Sequence, residues 1–471
     1  MIRIDALPDD ILLEIFDLYM MIMIQSYAGR RGVDAWQPLV HVCRQWRKVV
    51  FGSPCRLNLQ LYCTSTTPAR DRLDVWPALP LIVRSMTTLG AENLIAALEQ
   101  SNRVCQVHLY LVDWLLEKVL ASMQASTFPE LTDLYLGSYD EKTTPVILDS
   151  FLGGSAPTRL RFLTLNNIPF PGLPKLLLSA THLVHLNLNS IPHSGYISPN
   201  AMVALLSALF SLETLRLEFG SPQSRPYRET RTLPPPKRSV LPSLREFRFR
   251  GVTEYLEELV TRIDTPQLDY MDITFFNQID FDCPRLAQFI NCKPIFRALD
   301  EAHVRFKDSS VSVSLQYRIP VFKINDLHIE ISCREPDWQL SSIEQVCNLS
   351  FPPLLTVEDL YIDHWYSKPV RKDDDDATEN TLWLQLLLPF TAVKSFYLAR
   401  KFAPGIAAAL QELGEARITE VLPNLQNIFV EGFNACRSFR KQIGQFVAAR
   451  YLLGRSFAVS VWVESRPLED Q

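Results

Sequence analysis

The chain has 471 residues, of which 47% are hydrophobic and 21% charged, and its formal net charge is −5. This composition excludes an intrinsically disordered chain, because there is enough apolar material to build a core. The negative charge gives no electrostatic reason to expect nucleic acid or an anionic membrane as a partner.

The chain carries no sign of export. Its first residues, MIRIDALPDD, are acidic where a secretory signal peptide has basic and apolar regions. No run reaches the roughly 18 uninterrupted apolar residues of a membrane span. Nine cysteines are scattered without a Cys-x-x-Cys pair, which favours reduced thiols over a disulfide framework. We therefore expect an intracellular protein, in the cytoplasm or nucleus, that binds no membrane.

The N-terminal segment predicts short helices. Leu7-Pro8-Asp9-Asp10 indicates a helix start with acidic residues in the first turn. Apolar residues at helical spacing then predict one stripe, formed by Ile11, Leu12, Ile15, Phe16 and Tyr19. A second helix is predicted to run through Trp36, Leu39, Val40, Val42, Cys43, Trp46 and Val49. About fifty residues cannot bury all these groups, so the surplus needs another surface, in this chain or in another protein.

The stretch LPDDILLEIF…PLVHVCRQWRKVV resembles an F-box, the helical module that docks on the Skp-type adaptor of a cullin-based ubiquitin ligase. The resemblance implies a trihelical unit whose adaptor-binding residues are Leu7, Pro8, Ile11, Ile15, Phe16, Leu39, Val42, Cys43 and Trp46. Residues 20–35 depart from the family as a longer, Met-rich connection, similar to insertions in fungal F-box-like proteins. The alternative is a helix pair packed on the chain's own domain.

The rest of the chain repeats an L-x-x-L-x-L spacing with other apolar residues allowed for Leu. Its first positions are Val104, Leu131, Leu160, Leu183, Leu212, Leu244, Leu268, Ile324, Val357, Val393 and Leu425. They are 23 to 36 residues apart, except for one gap of 56 that suggests two periods with a degenerate strand near Ala302-Val304-Phe306. One such unit cannot bury its apolar face alone, so the units are predicted to stack into a curved solenoid with a parallel sheet.

The spacing resembles leucine-rich repeats, although the usual Asn or Cys after the strand is absent. We therefore predict an α/β solenoid: a small helical F-box module followed by an irregular leucine-rich-repeat-like curved solenoid with a parallel sheet. The predicted domains are 1–56 (F-box-like), 57–103 (connection and N-terminal cap), 104–435 (solenoid) and 436–471 (C-terminal cap). In that cap, Phe439, Ile443, Phe446, Val447 and Tyr451 predict a helix stripe, and residues 457–463 predict a last strand.

The middle residue of each x-L-x-L strand is predicted to face outward on the sheet, because side chains alternate along a strand. These residues are His108, Tyr135, Thr164, Asn187, Arg216, Arg248, Asp272, His328, Tyr361, Tyr397 and Phe429. The last three place aromatic groups on successive strands, and exposed aromatics often anchor interfaces. They are the candidate target-binding residues, unless a loop or the C-terminal cap covers them.

The sequence offers no catalytic set, no cofactor motif and no metal site. It has no nucleophile elbow, no phosphate-binding loop and no dinucleotide glycine pattern. His182 and His185 straddle a strand-forming segment and favour repeat packing over metal binding. Two segments, 221–242 (Pro-rich and basic) and 368–380 (charged), are expected to be surface insertions.

Two functions fit this organisation. In the first, the F-box docks on a Skp-type adaptor, and through it on a cullin, while the solenoid recruits a protein target for ubiquitination. Such a receptor subunit is not an enzyme. In the second, the chain is a repeat scaffold for protein–protein interaction whose N-terminal helices only cap the solenoid. The sequence names no target.

Overall fold

The structure is a computed structural model that describes residues 7–26, 35–65, 69–86, 90–124, 126–139, 145–171, 173–224, 238–279, 281, 283–317, 326–348, 352–364, 376–413 and 417–462. Two compact units are present. Unit 1 comprises Met1–Tyr196 and Ala204–Leu212, and unit 2 comprises Ile197–Val203 and Glu213–Gln471. Each unit is described by itself.

The helices alternate with the strands along most of the chain. They are α1 Asp9–Ser26, α2 Gln37–Val40, α3 Arg44–Gly52, α4 Ala69–Val75, α5 Ala91–Leu98, α6 Asp113–Gln124, α7 Leu173–Ser179, α8 Pro199–Leu206, α9 Thr253–Val260, α10 Pro284–Asn291, α11 Pro294–Arg297, α12 Pro336–Asn348, α13 Asp376–Leu387, α14 Ala403–Gln411, α15 Phe433–Gln442 and α16 Gly444–Leu452. Short 3₁₀ helices lie at Phe151–Gly154, His193–Gly195 and Pro352–Thr356.

The strands are mostly four to eight residues long. They are β1 Leu61–Thr64, β2 Leu81–Ser85, β3 Val104–Leu111, β4 Asp133–Ser138, β5 Phe162–Asn166, β6 His185–Ile191, β7 Thr214–Phe219, β8 Ser239–Val240, β9 Glu246–Gly251, β10 Ile263–Asp264, β11 Tyr270–Phe276, β12 Glu301–Phe306, β13 Ser310–Gln316, β14 Leu327–Ser332, β15 Asp359–His364, β16 Ser395–Leu398, β17 Asn427–Glu431 and β18 Ala458–Trp462.

The N-terminal helices differ from the prediction in two ways. Helix α1 continues to Ser26, so the first part of the segment assigned to a connection is helical. The predicted second helix is broken into α2 and α3, because Cys43 has extended backbone (φ −157°). Its Sγ accepts a hydrogen bond from the Trp46 backbone N–H at 3.5 Å, which makes Cys43 the N-cap of α3.

The sheet of unit 1 is parallel. Strands β1 to β6 pair in chain order, each with the next. The repeat pattern did not identify β1 and β2, which lie in segment 57–103. Gly90 precedes α5 in a left-handed conformation (φ +80°), and an added Cβ there would lie 1.8 Å from the Ser65 backbone oxygen. Only glycine fits this close approach.

The sheet of unit 2 has the order β7-β9-β11-β14-β13-β12-β15-β16-β17-β18. All these pairs are parallel except those of β13, which runs antiparallel to both β12 and β14. The predicted degenerate strand near Ala302-Val304-Phe306 is β12. Strand β13 was not predicted, and it places β14 beside β11 and β12 beside β15. A separate two-stranded sheet pairs β8 with β10.

The repeat is confirmed at the level of strands. Each of the eleven predicted segments contains a strand, and its apolar positions within that strand are buried. The predicted middle residues are all intermediate in exposure, as alternation requires when one sheet face is covered. Each unit is thus a mostly parallel sheet with helical returns, the arrangement of a leucine-rich-repeat-type solenoid. The F-box and the division into domains at 56, 103 and 435 stay predictions.

The C-terminal segment is held by a buried arginine. Arg450 on α16 is 0% exposed. Its Nη1 donates to the carbonyl oxygens of Val421 and Leu422 at 3.2 and 3.1 Å, and its Nη2 to that of Pro423 at 3.1 Å. Phe439, Ile443 and Phe446 are buried as predicted. Tyr451 does not follow the predicted helix stripe, because it is 71% exposed.

Candidate protein-interaction surfaces

Helix α1 is apolar on two opposite faces. Leu12, Leu13, Phe16 and Met20 are buried. Ile11, Ile15, Leu18 and Ile22 are exposed, at 47%, 41%, 54% and 56%. At 100° per residue, the spacing of four, three and four residues keeps the second set within one narrow stripe. We call these four residues the α1 stripe. The predicted single stripe is therefore corrected: Ile11 and Ile15 turn away from Leu12 and Phe16.

The buried face of α1 packs on α3. The Phe16 and Trp46 rings lie 4.7 Å apart between centroids. The Gln45 side-chain amide donates to an Asp9 carboxylate oxygen at 3.2 Å. Because these contacts fix α1 on its inner side, the α1 stripe is left facing outward on a structured helix.

The second and third helices pack on the start of the sheet. Trp36 is 0% exposed, and its Nε1 donates to the Gln60 carbonyl oxygen at 2.9 Å. Its ring lies 5.1 Å from that of Trp76, at 84°. Phe51 contacts both tryptophans, with centroids 5.9 and 6.2 Å away. These helices therefore belong to the same compact unit as β1 to β6.

The residues predicted to bind an adaptor divide into three groups by their exposure in the structure. Phe16 and Leu39 are buried. Pro8, Ile11, Ile15 and Val42 are exposed, and Leu7, Cys43 and Trp46 are intermediate. The prediction missed Leu18, Met21 and Ile22, which are 54%, 49% and 56% exposed. The three-and-four spacing continuing past Ile15 was the available signal.

In unit 2 the predicted target-binding residues form an aromatic ladder. Tyr361 and Tyr397 stack with centroids 4.2 Å apart and planes within 5°. Phe429 stacks on Tyr397 at 4.7 Å and 14°. The row begins at His303 of β12, whose ring stacks on Tyr361 at 4.4 Å and 8°. We call these four residues the aromatic ladder. The strand register places them side by side.

Two aromatic residues in and beside the ladder were not among the predicted target-binding residues. His303 lies on the strand that was treated as degenerate. Trp462 lies on β18, and its ring lies edge-on to Tyr361 and Tyr397 at 6.1 and 5.8 Å. The C-terminal strand thus covers part of the ladder, as the alternative reading allowed, and Tyr361, Tyr397 and Phe429 remain intermediate in exposure.

Carboxylates surround the ladder. His303 Nε2 lies 2.6 Å from Glu301 Oε1, and its Nδ1 lies 3.8 Å from Asp363 Oδ2. Burial opposes the imidazolium, but the Asp363 and Glu301 carboxylates outweigh it and raise the pKa of His303. Burial, and then the charge of Glu301, raise the pKa of the Tyr361 hydroxyl, which stays neutral. Arg305 makes a bidentate contact with Asp363 at 2.9 and 3.3 Å.

A second charged cluster lies nearby on β14. Glu330 Oε2 is 2.5 Å from Lys307 Nζ and 3.6 Å from His328 Nε2. Burial by itself would raise the pKa of Glu330, but hydrogen bonds from His328 and Lys307 lower it to about 2. The Ser314 hydroxyl lies 2.7 Å from His328 Nδ1. These contacts join β12, β13 and β14 across the antiparallel part of the sheet.

The remaining features considered in the sequence are the histidine pair, possible metal and membrane segments, and two loops. His185 stacks on Phe162 at 4.6 Å, while His182 is exposed. Within the described ranges, no group of three or more His, Cys, Asp or Glu side chains is placed to hold a metal ion. None of the described helices has the length and apolarity of a membrane-spanning segment. Most of loops 221–242 and 368–380 lies outside the described residues.

Comparison with known proteins yields a structural likeness but no family. No protein-family model matches the chain, and no curated protein does. A solved structure that resembles it is the leucine-rich repeat-containing protein LegL7 from Legionella pneumophila, at 13% identity and a TM-score of 0.24. The match covers 84% of this chain and 98% of that one. At this TM-score the likeness supports no statement about this chain's fold, ligands or activity.

Proposed function

We propose that this chain is the substrate-recognition subunit of a Skp-cullin-F-box type ubiquitin ligase. In this proposal residues 7–52 dock on a Skp-type adaptor, and the solenoid recruits a protein target. The observation that supports it is the α1 stripe: Ile11, Ile15, Leu18 and Ile22 stay exposed on a helix whose other face is packed. Large apolar side chains grouped on an ordered helix are typical of an interaction surface.

The stripe is large enough to matter for binding. It extends over about 16 Å of helix, at 1.5 Å per residue. Each of its four side chains is about half exposed, and burying the exposed half contributes ~1 kcal/mol per residue. The total of ~4 kcal/mol is part of the gross interaction, from which association costs must be subtracted. Val42, 56% exposed, adds a further apolar group in the same module.

The chain's role in this proposal is not catalytic. A receptor that holds adaptor and target together raises the effective concentration of the target near the ligase. The solenoid suits such a role because stacked repeats offer extended binding surfaces. The candidate target-binding residues remain Tyr361, Tyr397 and Phe429, which share one sheet face in unit 2.

A second candidate function has its own supporting observation. Trp36 is fully buried against Trp76 and bonded to Gln60, so α2 and α3 act as a cap over the first strand. A repeat scaffold outside any ubiquitin ligase would need this packing. It would not need the α1 stripe, which separates the two proposals.

The test is co-expression of the full chain with a Skp-type adaptor, followed by affinity purification. We expect stable co-purification of the unaltered chain. Ile15→Asp places a charge in the middle of the stripe and should abolish co-purification. Because about half of the side chain is already buried, the unfolding free energy should fall by only ~1 kcal/mol.

The matched control is Leu178→Asp. Leu178 is 56% exposed on α7, so the same charge enters a helix of the same unit outside the N-terminal module, and adaptor binding should persist. Trp46→Ala is a poor choice, because Trp46 packs on Phe16 and its loss would loosen α1. Equal adaptor recovery from the Ile15 and Leu178 variants, or none from the unaltered chain, would contradict the receptor proposal.

A further inference from the structure

The aromatic ladder ends at a position without a ring. Its spacing is regular, with His303, Tyr361, Tyr397 and Phe429 at successive centroid distances of 4.4, 4.2 and 4.7 Å. The next residue in register, on β18, is Ser460. Among the described residues no ring stacks on the side of Phe429 that faces Ser460. The small side chain thus leaves room for one more planar group.

Two neighbours on the same face set the chemistry of this position. Glu431 and Trp462 face each other in register one step along β17 and β18. Glu431 Oε2 accepts a hydrogen bond from the Arg400 backbone N–H at 3.0 Å, which orients the carboxylate. The Trp462 ring lies edge-on to Tyr361 and Tyr397, so it is directed toward β15 and β16.

The surrounding charge favours a cation. Four carboxylates, those of Glu301, Asp359, Asp363 and Glu431, share this face of β12, β15 and β17, and the basic side chains among the described residues of these strands on this face are Arg305 and His303. A surface with this excess of negative charge attracts a basic group and disfavours an acidic one. A ring face at the end of the row attracts a cation through its quadrupole.

We propose that the position over Ser460 binds the guanidinium of an arginine in an extended segment of the target protein, as the fifth planar member of the ladder. A guanidinium is flat, stacks on Phe429 and presents N–H donors at its edge to Glu431. Lysine has a compact ammonium that cannot stack in this way. The proposal rests on the solenoid's role in target recruitment and gives that target a chemical class.

The experiment uses the full chain and an uncharged glycine–serine peptide with one central arginine, titrated by ligand-observed saturation-transfer NMR. Matched peptides carry lysine or citrulline at the same place. We expect the arginine peptide to bind about fivefold more tightly than the lysine peptide and about tenfold more tightly than the citrulline peptide. Equal binding of all three would overturn the proposal.

Two variants test the position itself. Ser460→Phe fills it with a ring of the chain's own and should abolish arginine binding without lowering stability. Phe429→Leu keeps an apolar side chain but removes the flat surface, and should weaken binding about tenfold. Ser438→Phe, on the exposed side of α15, adds the same side chain elsewhere and should change nothing. The proposal is refuted if the Ser460→Phe variant binds the arginine peptide as well as the unaltered chain does. It is also refuted if only a chain lacking residues 463–471 binds that peptide.

The test of arginine binding can be read separately from the test of adaptor binding. Ser460→Phe should leave adaptor co-purification intact, because the α1 stripe is unaltered. If the unaltered chain binds the arginine peptide but no adaptor, the receptor function is rejected and the arginine site stands as part of a scaffold. If the chain binds the adaptor but shows no preference for arginine, the receptor function stands and the arginine site is rejected.

Discussion

Replacement of Arg450 by Met should loosen the C-terminal end of unit 2. The guanidinium is buried against Phe446 and Phe457, with its Cζ 5.7 and 5.8 Å from their ring centroids. It bonds three successive carbonyl oxygens in the turn before β17. Methionine retains much of the apolar stem and removes the donors, so the variant isolates these hydrogen bonds.

The loss of stability in the Arg450→Met variant depends on which hydrogen-bond donors the three carbonyl oxygens retain. The Leu422 oxygen also accepts from the Leu425 backbone N–H, and the Pro423 oxygen from Arg455. The Val421 oxygen has no other donor among the described residues, and Val421 is buried. A buried acceptor left unpaired costs ~1–3 kcal/mol, and weaker bonding of the other two adds to it. Since the buried cation itself is costly, we expect a net loss of about 2–4 kcal/mol.

The turn itself depends on this clamp. Leu422 has φ +47°, a left-handed conformation that is unfavourable for a residue with a Cβ. Arg450 binds the carbonyls on both sides of it, and so stabilises the turn. Without the guanidinium the turn can relax, and β17 and β18 should open locally while the rest of the repeat stays folded, because each repeat contacts mainly its neighbours.

The assay is native-state hydrogen exchange read by mass spectrometry over residues 417–462. A loss of 2–4 kcal/mol predicts opening that is roughly 30- to 700-fold more frequent in this segment, with little change in unit 1. Arg437→Met, on the exposed side of α15, is the control and should shift stability by less than ~0.5 kcal/mol. If exchange in the Arg450 variant matches that of the control, the three hydrogen bonds do not stabilise this end.

Two further predictions concern a glycine and a carboxylate. Gly90→Ala should lower the free energy of unfolding by ~2–4 kcal/mol in urea titrations, because the position has a positive φ and an added Cβ would clash with backbone. The control is Gly52→Ala, which should not change stability, because a Cβ there meets nothing within 4 Å. Equal urea midpoints for the two variants would contradict this prediction. The pKa of Glu330 is lowered to about 2, so the stabilisation from its ionised form is complete above its ordinary value near 4.5 and is lost as the pH falls towards 2. The stability advantage of the unaltered chain over Glu330→Gln should therefore shrink between pH 5 and pH 2, and an advantage that stays constant with pH would show that Glu330 is not the group responsible.

Many of the secondary-structure elements can be predicted from short patterns in the sequence. The x-L-x-L alternation defines a buried face and an open face wherever it occurs, because side chains alternate along any strand. This is why β3 to β7, β9, β11 and β14 to β17 could be predicted, together with the outward positions of Tyr361, Tyr397 and Phe429. The helix start at Pro8-Asp9-Asp10 is equally local, since it depends on capping and on charge in the first turn.

Other features depend on which elements meet in three dimensions. Strand β13 is antiparallel, and β14 precedes β12 in the order of the sheet. Both features follow from strand pairing, which produces no repeating pattern in the sequence. The position of Trp462 over Tyr361 depends on register between strands distant in sequence. Residues Ile11 and Phe16 are equally apolar, and only packing against Trp46 decides that Phe16 is buried and Ile11 exposed. The sequence alone determined which residues are apolar and at what spacing, and the tertiary structure decided which of them remain available to a partner, because burial depends on contacts made by the whole fold.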